Sequence, residues 1–496
     1  MTMRLHITAA AIGLSLALAG CVSSGGLHPS GTLAEASALK SERSLQGIEV
    51  SPAAWPQQDW WSALGDSQLD ALIGEALRDN PSLAAADARA RQAQATVGAA
   101  DAARGPTVNA GASIAGARLP DGLIAPEGHF AWAKYGYASF NWGLDLWGGK
   151  RAAWEAALGE ARAAEIDRQA ARIQLSTNVA RAYTQLGYAY AQQDVAKAEL
   201  ERANRARDLT RQRVSAGIDN QLQLKQADTE VASAEQQQAA ADRSIDAARS
   251  ALSVLLGKGP DRGLDIQRPQ ALKPAALRVP GNLPVDLIGH RADLVAARWR
   301  VEAAGKDIKV AKSEFMPNVS IGAMAGVLNL GGGNLFSLRN RFYELAPSIS
   351  LPIFDGGRLR ANLAGKDAQY DLAVAQYNQT LVAATNEVSD DYNALQSAQR
   401  QIDAQQRALD AATQAWQLSD QRYKAGIGNY LEALIVRQQL LQAQQRMAAL
   451  QSQQVDLSVQ LIQALGGGFR PQGEAHDVAS APASAASSSS VSARSL

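Results

Sequence analysis

The 496-residue chain contains a single cysteine, Cys21, so no disulfide within the chain holds its fold together. Aromatic residues make up only 5% of it, and alanine supplies much of the apolar share. Such a composition, rich in Ala, Gln, Leu and Arg, favours long helices packed closely through small side chains. Neither sign of charge dominates. The 48 basic residues balance 48 acidic ones, and nothing in that balance points to nucleic acid or another polyanion as a partner. Beyond the first twenty residues, no apolar run is long enough to cross a bilayer as a helix.

Residues that carry chemistry are equally sparse. The five histidines, at positions 6, 28, 129, 290 and 476, fall at no metal-ligand spacing. "GGGN" at 331–334 lacks the Lys-Ser/Thr of a phosphate loop. Ser37 and Lys40 match Ser-x-x-Lys without any companion motif. These absences argue against an enzyme and against a bound metal or other cofactor. A last absence is informative in the opposite sense. No proline occurs between Pro126 and Pro260, so a helix begun there should propagate, yet "RVSAGIDNQLQL" (213–224) breaks it at Ala216-Gly217.

The first twenty residues read as a targeting segment. Arg4 precedes the apolar run "ITAAAIGLSLALAG", too short to span a membrane, and the run ends in "LAGC", Leu18 to Cys21. That ending resembles the lipobox of bacterial lipoproteins: a thiol to accept a diacylglyceryl group, with small Ala19 and Gly20 before it to fit the peptidase. A chain whose only thiol carries lipid needs no disulfides in an oxidising periplasm. In the lipoproteins this resembles, a non-acidic residue after the cysteine, here Val22, accompanies sorting to the outer membrane.

Internal repetition is the strongest organisational signal. Residues 80–112 align without gaps to 291–323, and residues 210–259 to 419–468, an offset of 209 that sets Gly217 against Gly426 and Gly257 against Gly466. "DLWGGKR" (145–151) has a near counterpart in "FDGGRLR" (354–360). The chain therefore divides into a lipidated N-terminal segment (21–65), a first repeat (66–259), a Pro-rich linker (260–284), a second repeat (285–468) and a Ser/Ala-rich tail (469–496) expected to be disordered. Each repeat reads as helix, strand, loop, strand, very long helix, Gly turn, helix, Gly stop. The strands are expected near 107–119, 135–146, 318–328 and 343–353, and the helical hairpins near 150–257 and 357–465.

The strands carry a membrane signature. Val108, Ala110, Ala112 and Ile114 share one face, as do Phe140, Trp142, Leu144 and Leu146, against Ser139, Asn141, Gly143 and Asp145 on the other. Val319, Ile321, Ala323, Ala325 and Val327 alternate likewise, as do Leu345, Ile349, Leu351 and Ile353. About ten residues of strict alternation mark an outer-membrane strand, apolar toward lipid and polar toward the lumen. Phe130, Trp132, Tyr135, Tyr137, Phe336, Phe342 and Tyr343 are placed as interfacial aromatics near strand ends, and Pro347 requires an edge or a bulge. Four strands cannot close a barrel, and an open edge is not tolerated in hydrocarbon. The chain must share its barrel with copies of itself.

The helices exceed a compact domain. Residues 150–213 would span roughly 96 Å at 1.5 Å per residue. Val374, Leu381, Val388, Leu395, Ile402, Leu409, Trp416 and Tyr423 recur at every seventh position, and Leu434, Leu441, Ala448, Val455 and Ile462 repeat on the return. A sustained heptad imposes a supercoiled antiparallel hairpin folded at Gly426. In the first copy Leu224, Val231, Ile245 and Leu252 keep the beat, with Gln238 interrupting. With the strands fixed in a membrane, helices of this length carry the two glycine turns to the far end.

In "CVSSG", "WPQQDWWSALGDSQLDALIGEALRDNPSLAAADAR" (55–89), "LDLWGGKR" and the two Ala-Gly turns, the chain resembles the TolC/OprM outer-membrane factors, specifically their NodT-like lipoprotein branch. The resemblance covers Cys21 to about Gly468. It implies a homotrimer with a twelve-stranded β-barrel and an α-helical tunnel through the periplasm, receiving substrate from an inner-membrane pump through a periplasmic adaptor. It also implies adaptor docking at the turns, by Val214, Ala216, Gly217, Ile218 and Leu222 and by Tyr423, Ala425, Gly426, Ile427, Asn429 and Leu431. Where the family commonly has an acid after the second turn, this chain has Ile435, so either Glu432 supplies the charge or the gate is a hydrophobic constriction. The expected function is the exit duct of a tripartite efflux system for drugs or toxic organic compounds. A type I protein secretion duct shares the architecture. A periplasmic adaptor, with one hairpin, would leave the duplication and the strands unexplained.

Overall fold

The computed structural model describes residues 23–39, 43, 55–118, 130–274, 283–330 and 333–470. Cys21, Val22, the targeting segment and the tail from Pro471 lie outside the described residues. The first repeat supplies α1 (Ser67–Asp79), α2 (Pro81–Ala102), β1 (Thr107–Arg118), β2 (Phe130–Leu144), α3 (Gly149–Ser215) and α4 (Gln221–Leu255). A one-turn helix, α5 (Asp261–Leu264), follows. The second repeat supplies α6 (Leu283–His290), α7 (Ala292–Ser313), β3 (Asn318–Leu330), β4 (Arg341–Ser350), α8 (Arg358–Lys424) and α9 (Tyr430–Ala464). Corresponding helices match in length: α2 and α7 have 22 residues, α3 and α8 have 67, α4 and α9 have 35. Equal lengths, at an offset of 211 residues for α2 and α7 and 209 for the two later pairs, are what a duplicated chain should give.

One compact unit comprises the described residues up to Ala38 with Pro81–Arg168 and Asp293–Ala383. Its centre is an antiparallel sheet in the order β1-β2-β3-β4. The register sets Val108 against Phe140, Phe140 against Ala323 and Ala323 against Leu345, so the four apolar rows merge into one face. Val108, Leu345 and Ile349 on that face are 72%, 74% and 71% exposed. A contiguous apolar face left this open needs an apolar solvent or a partner. The opposite face carries Asn109, Ser113, Ser139, Asn141, Ser320 and Ser348, the last two hydrogen-bonded at 2.8 Å. Pro347 sits on the edge strand β4, as its missing donor requires.

Some strand details differ from the sequence expectation. β2 begins at Phe130 rather than near residue 135. It stops at Leu144 because Asp145 turns the chain, its carboxylate accepting the Lys150 and Arg151 amides that open α3. β4 stops at Ser350, before Leu351 and Ile353. Pro352 lacks a donor there, and Asp355 caps α8 by accepting the Gly357 and Leu359 amides. Tyr135, Tyr137 and Phe342 are not interfacial aromatics of the apolar face. They lie on the polar face, in the rows of Ser113, Gly111 and Gly326. A Cβ on Gly111 would meet the Tyr137 ring at 2.8 Å, and one on Gly326 the Phe342 ring at 2.8 Å. The rings cover strand positions that lack side chains, and Tyr135 stacks on Phe342 at 5.7 Å.

Below the strands Ile308, Ala311 and Phe315 of α7 pack on Leu359 and Leu363 of α8, with Leu27 against them. The N-terminal segment follows α8. Arg360 Nε donates to the Ser23 carbonyl at 3.0 Å, Asp371 accepts the Ser30 and Gly31 amides, and Asn378 bonds Thr32 and Ala34. The Gly31 and Ser30 bonds hold the Asp371 carboxyl below its ordinary range, the Gly31 amide contributing most.

The second unit comprises Leu39–Asn80, Gln169–Ala292 and the described residues from Ala384. Its core includes Leu64, Leu69, Leu72, Ile73, Tyr183, Leu186, Leu252, Leu256, Ile266 and Leu287, all essentially inaccessible. Asp66, 3% exposed, caps α1 and accepts the Tyr183 hydroxyl at 2.7 Å and the Gln270 amide at 3.0 Å. The stretch expected as a linker is therefore packed over residues 261–273: Ile266 is buried, Arg262 pairs with Glu75, and the Lys273 amide donates to the Leu64 carbonyl. Phe469, expected in the tail, is 5% exposed. Helices α3 and α4 pair through Arg249–Tyr190 and Gln193–Asp242, and α8 and α9 through Gln405 to the Ala443 carbonyl and Gln454–Gln399. The heptad positions from Val388 to Tyr423 are all buried or half-buried, confirming the seam.

Candidate functional site: the paired helix turns

Both long helices end in the same backbone device. At the first turn the Gly217 amide donates to Val214 and the Ile218 amide to Arg213, at 3.1 and 2.9 Å. At the second the Gly426 amide donates to Tyr423 and the Ile427 amide to Arg422, at 3.0 and 3.1 Å. Gly217 and Gly426 have φ of 73° and 74°. This is a Schellman stop, with the left-handed residue supplied by Gly because a side chain there is strained. The next helices start at once. Asn220 makes a complete capping box with Gln223, and Asn429 accepts the Leu431 amide at 3.0 Å.

The turns present apolar side chains outward. Ile218 and Ile427 are 64% and 72% exposed, and Leu222 and Leu431 are also open. Ala216, Gly217, Ala425, Gly426 and Asn429 are exposed, and Val214 is half-buried. Tyr423, grouped with the tips on sequence, is instead 6% exposed, in a cluster with Ala227, Tyr430 and Ala433. Glu432 and Ile435 are exposed on the first turns of α9.

Just behind the tips the two repeats are tied together by bonds the sequence did not announce. Asp219, in the first turn, accepts from Arg213 Nε at 2.8 Å and from the Tyr423 hydroxyl at 3.1 Å, and the Arg213 guanidinium lies 4.9 Å from the Tyr423 ring centre. Asp219 raises the Arg213 pKa, while burial raises that of Tyr423 and pushes Tyr430 up to about 12. Further along, Glu199 of α3 accepts from Arg437 of α9 at 2.6 Å and from Arg202 at 2.6 Å. Arg202 in turn reaches Glu230 of α4 at 3.5 Å. Glu199 and Arg437 are 6% and 9% exposed at their side chains. The 209 offset held the signal for the first tie: Tyr423 replaces Val214, and Gly428 stands where the first copy has Asp219. A Cβ at Gly428 would lie 3.0 Å from the Tyr423 amide nitrogen, so a side chain at that place would crowd the backbone of the second turn.

Strands with an apolar outer face, paired long helices and two matched turns describe a duplicated outer-membrane channel fold. The outer membrane efflux protein family matches residues 72–258 and 283–467, once per repeat, and the chain belongs to that family. Among its relatives, the fusaric acid resistance protein FusA of Burkholderia cepacia is 37% identical over 365 residues, covering 72% of this chain and 69% of that protein. The multidrug resistance outer membrane protein MdtP of Escherichia coli is 30% identical over 436 residues, covering 85% and 89%. The crystal structure of the outer membrane protein VceC from Vibrio cholerae superimposes with a TM-score of 0.79 at 36% identity, covering 84% of this chain and all of that one.

Proposed function

We propose that three copies of this chain form the exit duct of a tripartite efflux system in the outer membrane, passing small organic molecules outward. The observation that carries the reading is the four-stranded sheet. Its apolar face is open, and β1 and β4 each pair on one side only among the described residues. Unpaired strand edges in hydrocarbon must be satisfied by other chains, and twelve strands lie within the range of closed barrels. The relatives named for fusaric acid and multidrug resistance favour small molecules as cargo over a type I secreted protein. Cys21 is the lipid anchor. The lone thiol in "LAGC" supports that reading.

The turns are the adaptor-docking surface, through Val214, Ala216, Gly217, Ile218 and Leu222 on one side and Ala425, Gly426, Ile427, Asn429 and Leu431 on the other. Tyr423 braces the surface from within. Glu432 and Ile435 form the constriction behind it. An inner-membrane pump delivers substrate through the adaptor. Ile218→Asp and Ile427→Asp place an unpaired charge where docking must desolvate it. Drug efflux should fall while assembly and outer-membrane location stay normal. Full efflux in both variants would remove the docking role.

A further inference from the structure

A cleft of about 540 Å³ lies between the start of α3 and the end of α7, lined by Trp147, Arg151, Glu155, Lys306, Lys309 and Lys312 among others. Its charge is lopsided. Glu155 is taken by two cations, Arg151 Nε at 2.9 Å and Lys306 Nζ at 2.6 Å, which hold its carboxyl below the ordinary range. Lys309 and Lys312, one turn apart on α7, make no ion pair and no side-chain hydrogen bond among the described residues. Four cations thus face one carboxylate. The N-terminus of α3 does not produce this, because Asp145 already accepts its first free amides.

The cleft-lining residues of α3 are turned away from the polar face of the sheet. Lys150 lies on the polar side: its ammonium donates to the Gly143 carbonyl at 2.9 Å and occupies the space of the missing Gly143 side chain. Arg151 and Glu155 follow about 100° and 140° round the helix from Lys150, and Trp154, the intervening residue, is turned toward Arg104. The rim next to the strand ends is apolar and open. Leu146, Trp147 and Met316 are 59%, 52% and 46% exposed, and the Trp147 indole N–H is fixed on the Pro317 carbonyl at 2.7 Å. A tryptophan with a polar edge, beside long basic side chains at the foot of an apolar band, is the pattern of a membrane–water interface.

We propose that this cleft binds the phosphodiester headgroup of an anionic phospholipid in the periplasm-facing leaflet, with Lys309 and Lys312 on the phosphate and Trp147 and Met316 against the glycerol and acyl chains. The proposal rests on the membrane reading of the sheet. A basic pocket beside a membrane-embedded surface recognises anionic headgroups, each Lys or Arg contributing about fivefold in affinity.

The test is native mass spectrometry of the full-length protein in nonionic detergent, with phosphatidylglycerol or phosphatidylcholine added. Phosphatidylglycerol should be retained in preference. Combined Lys309→Ala and Lys312→Ala should weaken retention roughly twenty-five-fold, two fivefold contributions, without changing oligomer mass, and Lys309→Arg with Lys312→Arg should preserve it. Equal retention of both lipids, or retention unchanged in the alanine pair, overturns the proposal. Full displacement of lipid by excess inorganic phosphate assigns the cleft to a free anion and overturns the lipid source. A crosslink from Lys309→Cys to another copy makes it a subunit contact and does the same. Unchanged retention in a protein that fractionates with the outer membrane defeats this inference alone, whereas absence from that membrane defeats the reading beneath it.

Discussion

Leu345 lies in the middle row of the apolar face, level with Val108, Phe140 and Ala323, and is 74% exposed. In water, replacing so open a residue by arginine changes stability by no more than about 0.5 kcal/mol. In hydrocarbon the same change costs about 2–4 kcal/mol near the midplane and falls toward zero at the interfaces. The apolar rows run from Gly136 to Leu144 on β2, eight steps of about 3.3 Å, so a strand tilted by roughly 40° carries an apolar band about 20 Å tall, centred on the Leu345 row. Leu345→Arg should therefore lower the free energy of folding into lipid vesicles by about 2–4 kcal/mol, read by tryptophan fluorescence during a guanidinium titration. Asn141→Arg, on the polar face one residue from the same row, should change it by less than about 1 kcal/mol. Equal effects at the two positions would refute the assignment of faces.

Two further outcomes follow from the helical unit. Glu199→Leu removes the carboxylate that pairs with nearly inaccessible Arg437 and should destabilise the chain by about 3–5 kcal/mol, with Arg437→Met in the same chain recovering most of it. A loss that the second substitution leaves unchanged would deny the pairing. Burial, and next the neighbouring Glu387 and Asp390, push Asp391 up to about 6 against the opposing pull of Arg181 and Arg291. The folded chain then holds that proton more tightly than the unfolded chain, so this group favours folding below about pH 4 and the benefit is lost as pH rises through about 6. Asp391→Asn should raise the unfolding temperature at pH 7.5, by an amount equivalent to about 1 kcal/mol after allowing for partial exposure. Near pH 4 it should do little, and a gap independent of pH would contradict the assignment.

Periodicity made the scaffold legible. The alternation of Val319 to Val327 and the heptads from Val374 to Tyr423 each depend on residues close in sequence, and the 209 offset pairs Gly217 with Gly426. What escaped depended on register or on distant pairing. Tyr135, Tyr137 and Phe342 take their face from the strand phase, and their role from Gly111 and Gly326 across the sheet, which no single strand reveals. Glu199 and Arg437 stand 238 residues apart with no local pattern joining them. Ile266 looked like linker because Pro260 and Pro269 flank it, yet one isoleucine sufficed to anchor the segment in the core. Tyr423 satisfied the heptad and the turn motif together. Burial decided between a seam residue and a docking residue in favour of the seam.

On the proposed function, one chain is a third of a duct, anchored by lipid at Cys21 and closed only by its copies. Native mass spectrometry of protein extracted from outer membranes tests it most directly. Three chains per particle are expected, each beginning at Cys21 and carrying the mass of its acyl groups. A folded monomer as the dominant species would contradict it, since the edges of β1 and β4 would then need no partner.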